Sequence, residues 1–161
     1  MDYSLRVEQD RDNTITARED MVLDIVDCFQ VIKSEDGYKT DPITNEVWRV
    51  EELNIHDLPA NLVFDMESEV IDKGSNWRHK LNITLEHVTA EGIKTSNILN
   101  RGVQDMLKAF GLIHSRFVKK YNCPLPVKLL STLKGVESEE RTKGVMDAVI
   151  QVEYITKVWE F

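Results

Sequence analysis

The sequence predicts an α+β domain, and three observations carry that prediction. Apolar residues recur at three- and four-residue steps at 21–32 and again at 98–110, as amphipathic helices require. Between them, 62–70 and 77–87 alternate apolar and polar on either side of a glycine-containing turn, the period of a half-buried antiparallel hairpin. The segment 145–161 alternates once more and ends in Trp159 and Phe161. A fold that finishes on a strand can leave it as an edge or a tail, and unpaired edges invite other chains. The element order therefore points towards assembly.

Residues 1–15 are polar with isolated Tyr3, Leu5 and Val7 and read as an arm. Thr16-Ala17-Arg18-Glu19 is a capping box, in which the threonine oxygen and the glutamate each satisfy a main-chain N–H at the helix start. The helix behind it spans 19–33 and buries Met21, Val22, Ile25, Val26, Phe29 and Ile32, while Asp20, Asp24, Asp27 and Gln30 are expected to face away. Ser34-Glu35-Asp36-Gly37 ends it, with Gly37 free to take a positive φ. Residues 34–60 are the least regular, with Asp41-Pro42 as a turn and Val47-Trp48-Arg49-Val50 as a short strand.

In the hairpin, Leu62, Phe64, Met66, Ser68 and Val70 are expected on one face, and Trp77, His79, Leu81, Ile83, Leu85 and His87 on the face that meets the helices. The turn is Asp72-Lys73-Gly74-Ser75-Asn76. Thr95 or Ser96 caps the second helix, which carries Ile98, Leu99, Val103, Met106, Leu107 and Phe110 on one side and which Gly111 ends or interrupts. Asn122-Cys123-Pro124-Leu125-Pro126 is a stiff linker, 127–133 a strand, and 137–141 a polar turn. In the final strand Met146, Ala148, Ile150, Val152 and Tyr154 share a face; Val149 and Ile155 interrupt the polarity of the other.

Composition narrows the functional classes. At 161 residues the chain reads as one domain, divided into the arm 1–15, an α+β core at 16–156 and an aromatic tail at 157–161. A formal charge of −8 with scattered Lys and Arg argues against gripping nucleic acid, which needs clustered basic residues. No apolar run reaches the roughly 18 residues that span a bilayer, and the start of the chain lacks the pattern of a signal peptide. Synthesis in the cytoplasm and no membrane partner are expected. Cys28 and Cys123 lie 95 positions apart and form no CxxC pair; Cys28 reads as a small hydrophobe.

The motifs of chemistry are missing. There is no GxSxG elbow and no glycine-rich phosphate loop after a strand. His79 and His87, eight residues apart on one strand, are roughly 26 Å apart and cannot share a metal. Asp36, Asp41, Glu46, Glu51 and Glu52 do not have the spacing of a calcium loop. Glu67 and Glu69 on a polar strand face are expected of an acidic chain. The expectation is no enzyme, no catalytic residues, no metal and no cofactor. Candidate subunit or partner contacts are Trp48, Val149, Ile155, Trp159 and Phe161, since aromatic residues anchor interfaces.

The layout resembles the tail terminator proteins of long-tailed bacteriophages. The amphipathic helix at 19–33, the Gly37-Tyr38 turn, the strand Val47-Trp48-Arg49-Val50 and the step Asp57-Leu58-Pro59-Ala60 into Asn61-Leu62-Val63-Phe64 carry the likeness, with a hairpin, a helix and two closing strands after them. It covers about residues 17–156. The resemblance implies a mostly antiparallel four-stranded sheet with two helices packed on one face. It further implies a virion protein that forms a homo-hexameric ring on the head-proximal end of the tail tube. Such a ring stops tube polymerisation and offers a docking surface to the head connector or neck. The tail tube protein is then a partner, a sheath protein a further candidate, and DNA passes through without specific binding. Alternatives are another neck or head–tail connector protein, or a small α+β ligand-binding domain or enzyme.

Overall fold

The structure, a computed structural model, describes residues 15–47, 53–90, 95–136 and 143–161. The arm up to residue 14, Trp48-Arg49-Val50, Glu51, Glu52 and the polar turn at 137–141 lie outside the described residues. The capping box forms: Thr16 Oγ1 accepts from the Glu19 N–H at 3.3 Å, and the Glu19 carboxylate accepts from the Thr16 N–H. It starts helix α1, Ala17–Cys28. The expected continuation to Lys33 tightens instead into a 3-10 turn at Phe29–Val31, where β-branched Val31 and Ile32 weaken a further α turn. A second 3-10 turn, Ser34–Asp36, ends on Gly37 at φ 89°.

The sheet has five strands, one more than expected: β1 (Thr44–Val47), β2 (Ala60–Asp72), β3 (Asn76–Ala90), β4 (Lys128–Val136) and β5 (Lys143–Lys157). Their spatial order is β1-β2-β3-β5-β4. All neighbours are antiparallel except β1 and β2, so the sheet is mixed. Of the short strand expected at Val47-Trp48-Arg49-Val50, only Val47 lies among the described residues, and it closes β1, which begins three residues earlier at Thr44. The closing strand is also not a simple edge. β5 lies between β3 and β4 from Gly144 as far as the Lys128–Gln151 pair, and beyond that pair Val152–Lys157 pair with β3 alone among the described residues.

Both helices lie on one face. Helix α1 packs over β1 and β2, and α2 (Thr95–Lys120) over β3 and β5. The core beneath them holds Val63, Leu81, Ile83, Leu85, Ala148, Ile150 and Val152. Each of the valine, leucine and isoleucine side chains contributes roughly 1.5–3 kcal/mol through burial. Gly111 neither ends nor breaks α2, which runs 26 residues without interruption. Gly102 has a sharper role: a Cβ there would sit 2.2 Å from the His87 ring, so its hydrogen lets α2 approach β3.

A bulge corrects the face assignment of β2. Met66 and Glu67 together oppose Asn82, between the Asp65–Ile83 and Ser68–Leu81 pairs. Before the bulge, Val63 points to the helices while Leu62 points away; after it, Ser68 and Val70 share the helix-facing side with Leu81 and His79. The single apolar face expected for Leu62 through Val70 is therefore split. Leu62 joins Leu53, Leu58, Ala60 and Val88 in a small second cluster on the opposite side of the sheet.

Candidate interaction surfaces

Buried polar groups fix the elements that carry the surfaces. On β3, His87 is fully buried beneath Gly102. Its Nδ1 lies 2.7 Å from Asn61 Oδ1, and Asn61 Nδ2 donates to Asn45 Oδ1 at 3.0 Å, a relay that crosses from β3 through β2 to β1. Burial pushes the His87 imidazole down to about 4, against a smaller opposing pull from Asp105. Asp105 is itself buried on α2 and accepts from the Lys39 N–H at 2.9 Å and from Thr40 Oγ1 at 2.6 Å. It ties the approach to β1 onto the second helix. Lys108 adds to the tie, donating to the Gly37 carbonyl at 3.1 Å.

Asp24 does not face away as expected. It is fully buried and accepts from Tyr121 Oη and, at 2.9 Å, from Lys120 Nζ. Its helical spacing places it on the apolar stripe, where the end of α2 supplies the partners that make a buried carboxylate tolerable. On the far side of the sheet, Arg78 Nε donates to Glu153 at 3.0 Å.

The candidate contact residues do not form one patch. Val149 lies mid-sheet on the helix-free face, opposite Thr84 and Ser131. Ile155 is on that face about 20 Å further along β5, opposite Arg78, and is 36% exposed. Trp159 and Phe161 fold back on the chain's own body. The Phe161 carbonyl accepts from the Ala17 N–H at 3.0 Å, at the start of α1, and the Arg18 guanidinium stacks 3.6 Å from the Phe161 ring centre. Trp159, at φ 70°, meets Trp77 edge-on at 5.1 Å yet remains 85% exposed. Trp77 is half-buried rather than core. Trp48 lies outside the described residues.

Behind this tail, His79 stacks on Tyr154 at 4.4 Å, and its Nε2 lies 2.8 Å from Thr156 Oγ1. Burial, and then the charge of Arg18, hold its pKa below the ordinary value. Arg18 also donates to Ser68 Oγ at 3.1 Å and Tyr154 Oη at 3.3 Å, so one guanidinium joins α1, β2, β5 and the tail.

Two exposed apolar edges escaped the sequence reading. At the β1 end, Ile43 is 66% exposed and Val47 40%. At the β4 end, Leu129, Leu130 and Leu133 are all exposed, Leu133 by 71%. The signal was present in Leu129-Leu130: adjacent strand residues point to opposite faces, so both can be covered only if the strand is central. Pro124 and Pro126 just before it are the marks of an edge.

Among the described residues no group of three His, Cys, Asp or Glu side chains could hold a metal ion. Burial raises both thiols, Cys123 to about 11, which leaves them protonated and poorly nucleophilic at neutral pH. No helix among the described residues is long and apolar enough to cross a membrane. No protein-family model matches the chain, and no curated protein matches it. What the surfaces offer chemically is apolar contact at two opposite sheet edges, flanked by charge.

Proposed function

We propose that the chain is a ring-forming structural protein of a phage virion, a tail terminator that caps the head-proximal end of the tail tube and presents a docking surface to the head connector. One observation supports this reading most directly. The apolar edges at β1 and β4 are different surfaces at opposite ends of one sheet. A subunit with two unlike contact surfaces associates head-to-tail, and head-to-tail contacts close into rings or run on as filaments. The exposed Trp159 supplies a separate aromatic contact for a tube or connector. A charge of −8 per copy suits a ring through which DNA slides.

The decisive experiment combines native mass spectrometry and negative-stain imaging of the purified chain with a tube-growth assay. A closed ring of six that halts elongation of tail tubes is the expected result. A ring that binds the connector but leaves tube growth unchanged would make the chain a neck protein. A monomer that also fails to bind tubes would overturn the proposal in favour of a small ligand-binding domain.

A further inference from the structure

Strand β2 outruns the neighbour that covers it. β1 pairs only with Ala60–Val63, and beyond the bulge Ser68–Asp72 have no ladder partner on their outer side among the described residues. On their inner side they pair with β3, from Leu81 to Trp77. Such an edge presents main-chain N–H and C=O groups in a row, a template for one more strand. Val70 is 43% exposed on the helix side of this stretch, and Glu69 is exposed on the other side.

The start of α1 brings the chain's own arm to this edge. Arg18 donates to Ser68 Oγ at 3.1 Å, so the first turn of α1 stands at the near end of the uncovered stretch. From there α1 packs over β2 and β1. The other stretch paired on one side only, Val152–Lys157 of β5, lies across β3 from α1's strands. Residues 1–14 lie outside the described residues, and their sequence holds one alternating run, Tyr3-Ser4-Leu5-Arg6-Val7, which matches Ser68–Asp72 in length. Glu8–Ile15 separate it from Thr16, a reach of up to about 26 Å, against an edge about 13 Å long.

We infer that Tyr3–Val7 straps the edge of its own chain as an added strand antiparallel to Ser68–Asp72, with Val7 opposite Ser68, Leu5 opposite Val70 and Tyr3 opposite Asp72. The direction follows from the return to Arg18 at Ser68, which asks for the Val7 end there. In this register Leu5 covers exposed Val70 on the helix side, and Arg6 stands opposite Glu69 on the other, an unlike-charge pair across the ladder. A slip by one residue would set Arg6 against Val70 and lose both contacts. The short tether gives the arm an effective concentration in the millimolar range, so it outcompetes the arm of another copy. The strap closes an edge that would otherwise recruit foreign strands, whether or not the chain forms a ring.

Paired cysteines in the full chain test the register. Opposed residues of an antiparallel ladder have Cα atoms about 4.5–5.5 Å apart, within disulfide range. Leu5→Cys with Val70→Cys is expected to form a disulfide within one chain at least tenfold faster than Arg6→Cys with Val70→Cys, whose side chains would point to opposite faces. Non-reducing electrophoresis and mass spectrometry of the linked peptide read the outcome, and circular dichroism melts matching the parent establish that both variants fold. Equal rates, or no linkage, overturn the strap. Linkage between two chains at micromolar protein also overturns it, and makes the occupant a second copy's arm. Hydrogen exchange gives a readout without cysteines. Adjacent strand N–H groups point opposite ways, so in a Leu5→Pro, Arg6→Pro double variant one proline must break the ladder. Amide protection within Ser68–Asp72 should fall tenfold or more while that of α2 stays unchanged, and undiminished protection at the edge overturns the proposal.

Discussion

At the scale of residues, the buried polar groups give the sharpest expectations. His87 titrates at about 4 in the folded chain, against roughly 6.5 when unfolded. The unfolded state therefore binds the extra proton first as pH falls. The stability from a neutral His87 is complete above about pH 6.5 and is lost between there and about pH 4. The loss is on the order of 3 kcal/mol at 1.36 kcal/mol per unit. Urea unfolding across that range should show the decline, and a His87→Gln variant should show a shallower one. Asp24→Ala should cost about 3 kcal/mol, because it takes the carboxylate from the buried hydroxyl of Tyr121 and leaves the ammonium of Lys120 only the more distant Asp20, at 3.8 Å. Chemical denaturation measures it directly.

At the scale of elements, α2 contains two glycines with opposite expectations. Gly102→Ala drives a methyl into the His87 ring and should destabilise by about 2 kcal/mol. Gly111→Ala meets nothing within 4 Å on an exposed helix face, and should stabilise by roughly 0.5–1 kcal/mol. Thermal melts of the pair separate a packing glycine from a merely permitted one. Neither role was legible from composition, since only the helix-to-sheet distance distinguishes them. The helices, the hairpin and the capping box were legible because each depends on neighbours in sequence. The β2 bulge, the burial of Asp24 and the parallel pairing of β1 were not, since all three are set by partners 10 or more residues away. The candidate surface was legible only in part. Terminal aromatics announced themselves by type, but the leucines of β4 became a surface only once the strand order placed them at an edge.

At the scale of the whole molecule, the sheet divides the labour. One face anchors the helices, β1 and β4 stand at the two ends of the sheet among the described residues, and the tail returns to cover the start of α1. Trp159 touches this packing only edge-on at Trp77 among the described contacts. With 85% of its surface exposed, Trp159→Ala should change stability by about 1 kcal/mol or less. If Trp159 is a tube or connector contact, the same variant should weaken capping by tenfold or more. Measuring melting and capping on one preparation separates the two effects. Truncation at residue 157 is a poorer probe, because it also removes the Phe161 carbonyl from the Ala17 N–H and the ring from Arg18.

The bulge in β2 acts on the strand as one inserted base acts on a reading frame. Upstream of Met66 and Glu67 the odd-numbered residues look towards the helices; downstream the even-numbered ones do. Ser68 reaches Arg18 only because of that change of phase. The same residues laid out without the bulge would carry Glu67, Glu69 and Ile71 inward and turn Ser68 and Val70 out, whereas removing Glu67 would leave Met66 alone opposite Asn82 and keep Ser68 and Val70 facing the helices. A relative one residue shorter between Asp65 and Asp72 therefore needs no bulge to present the same faces.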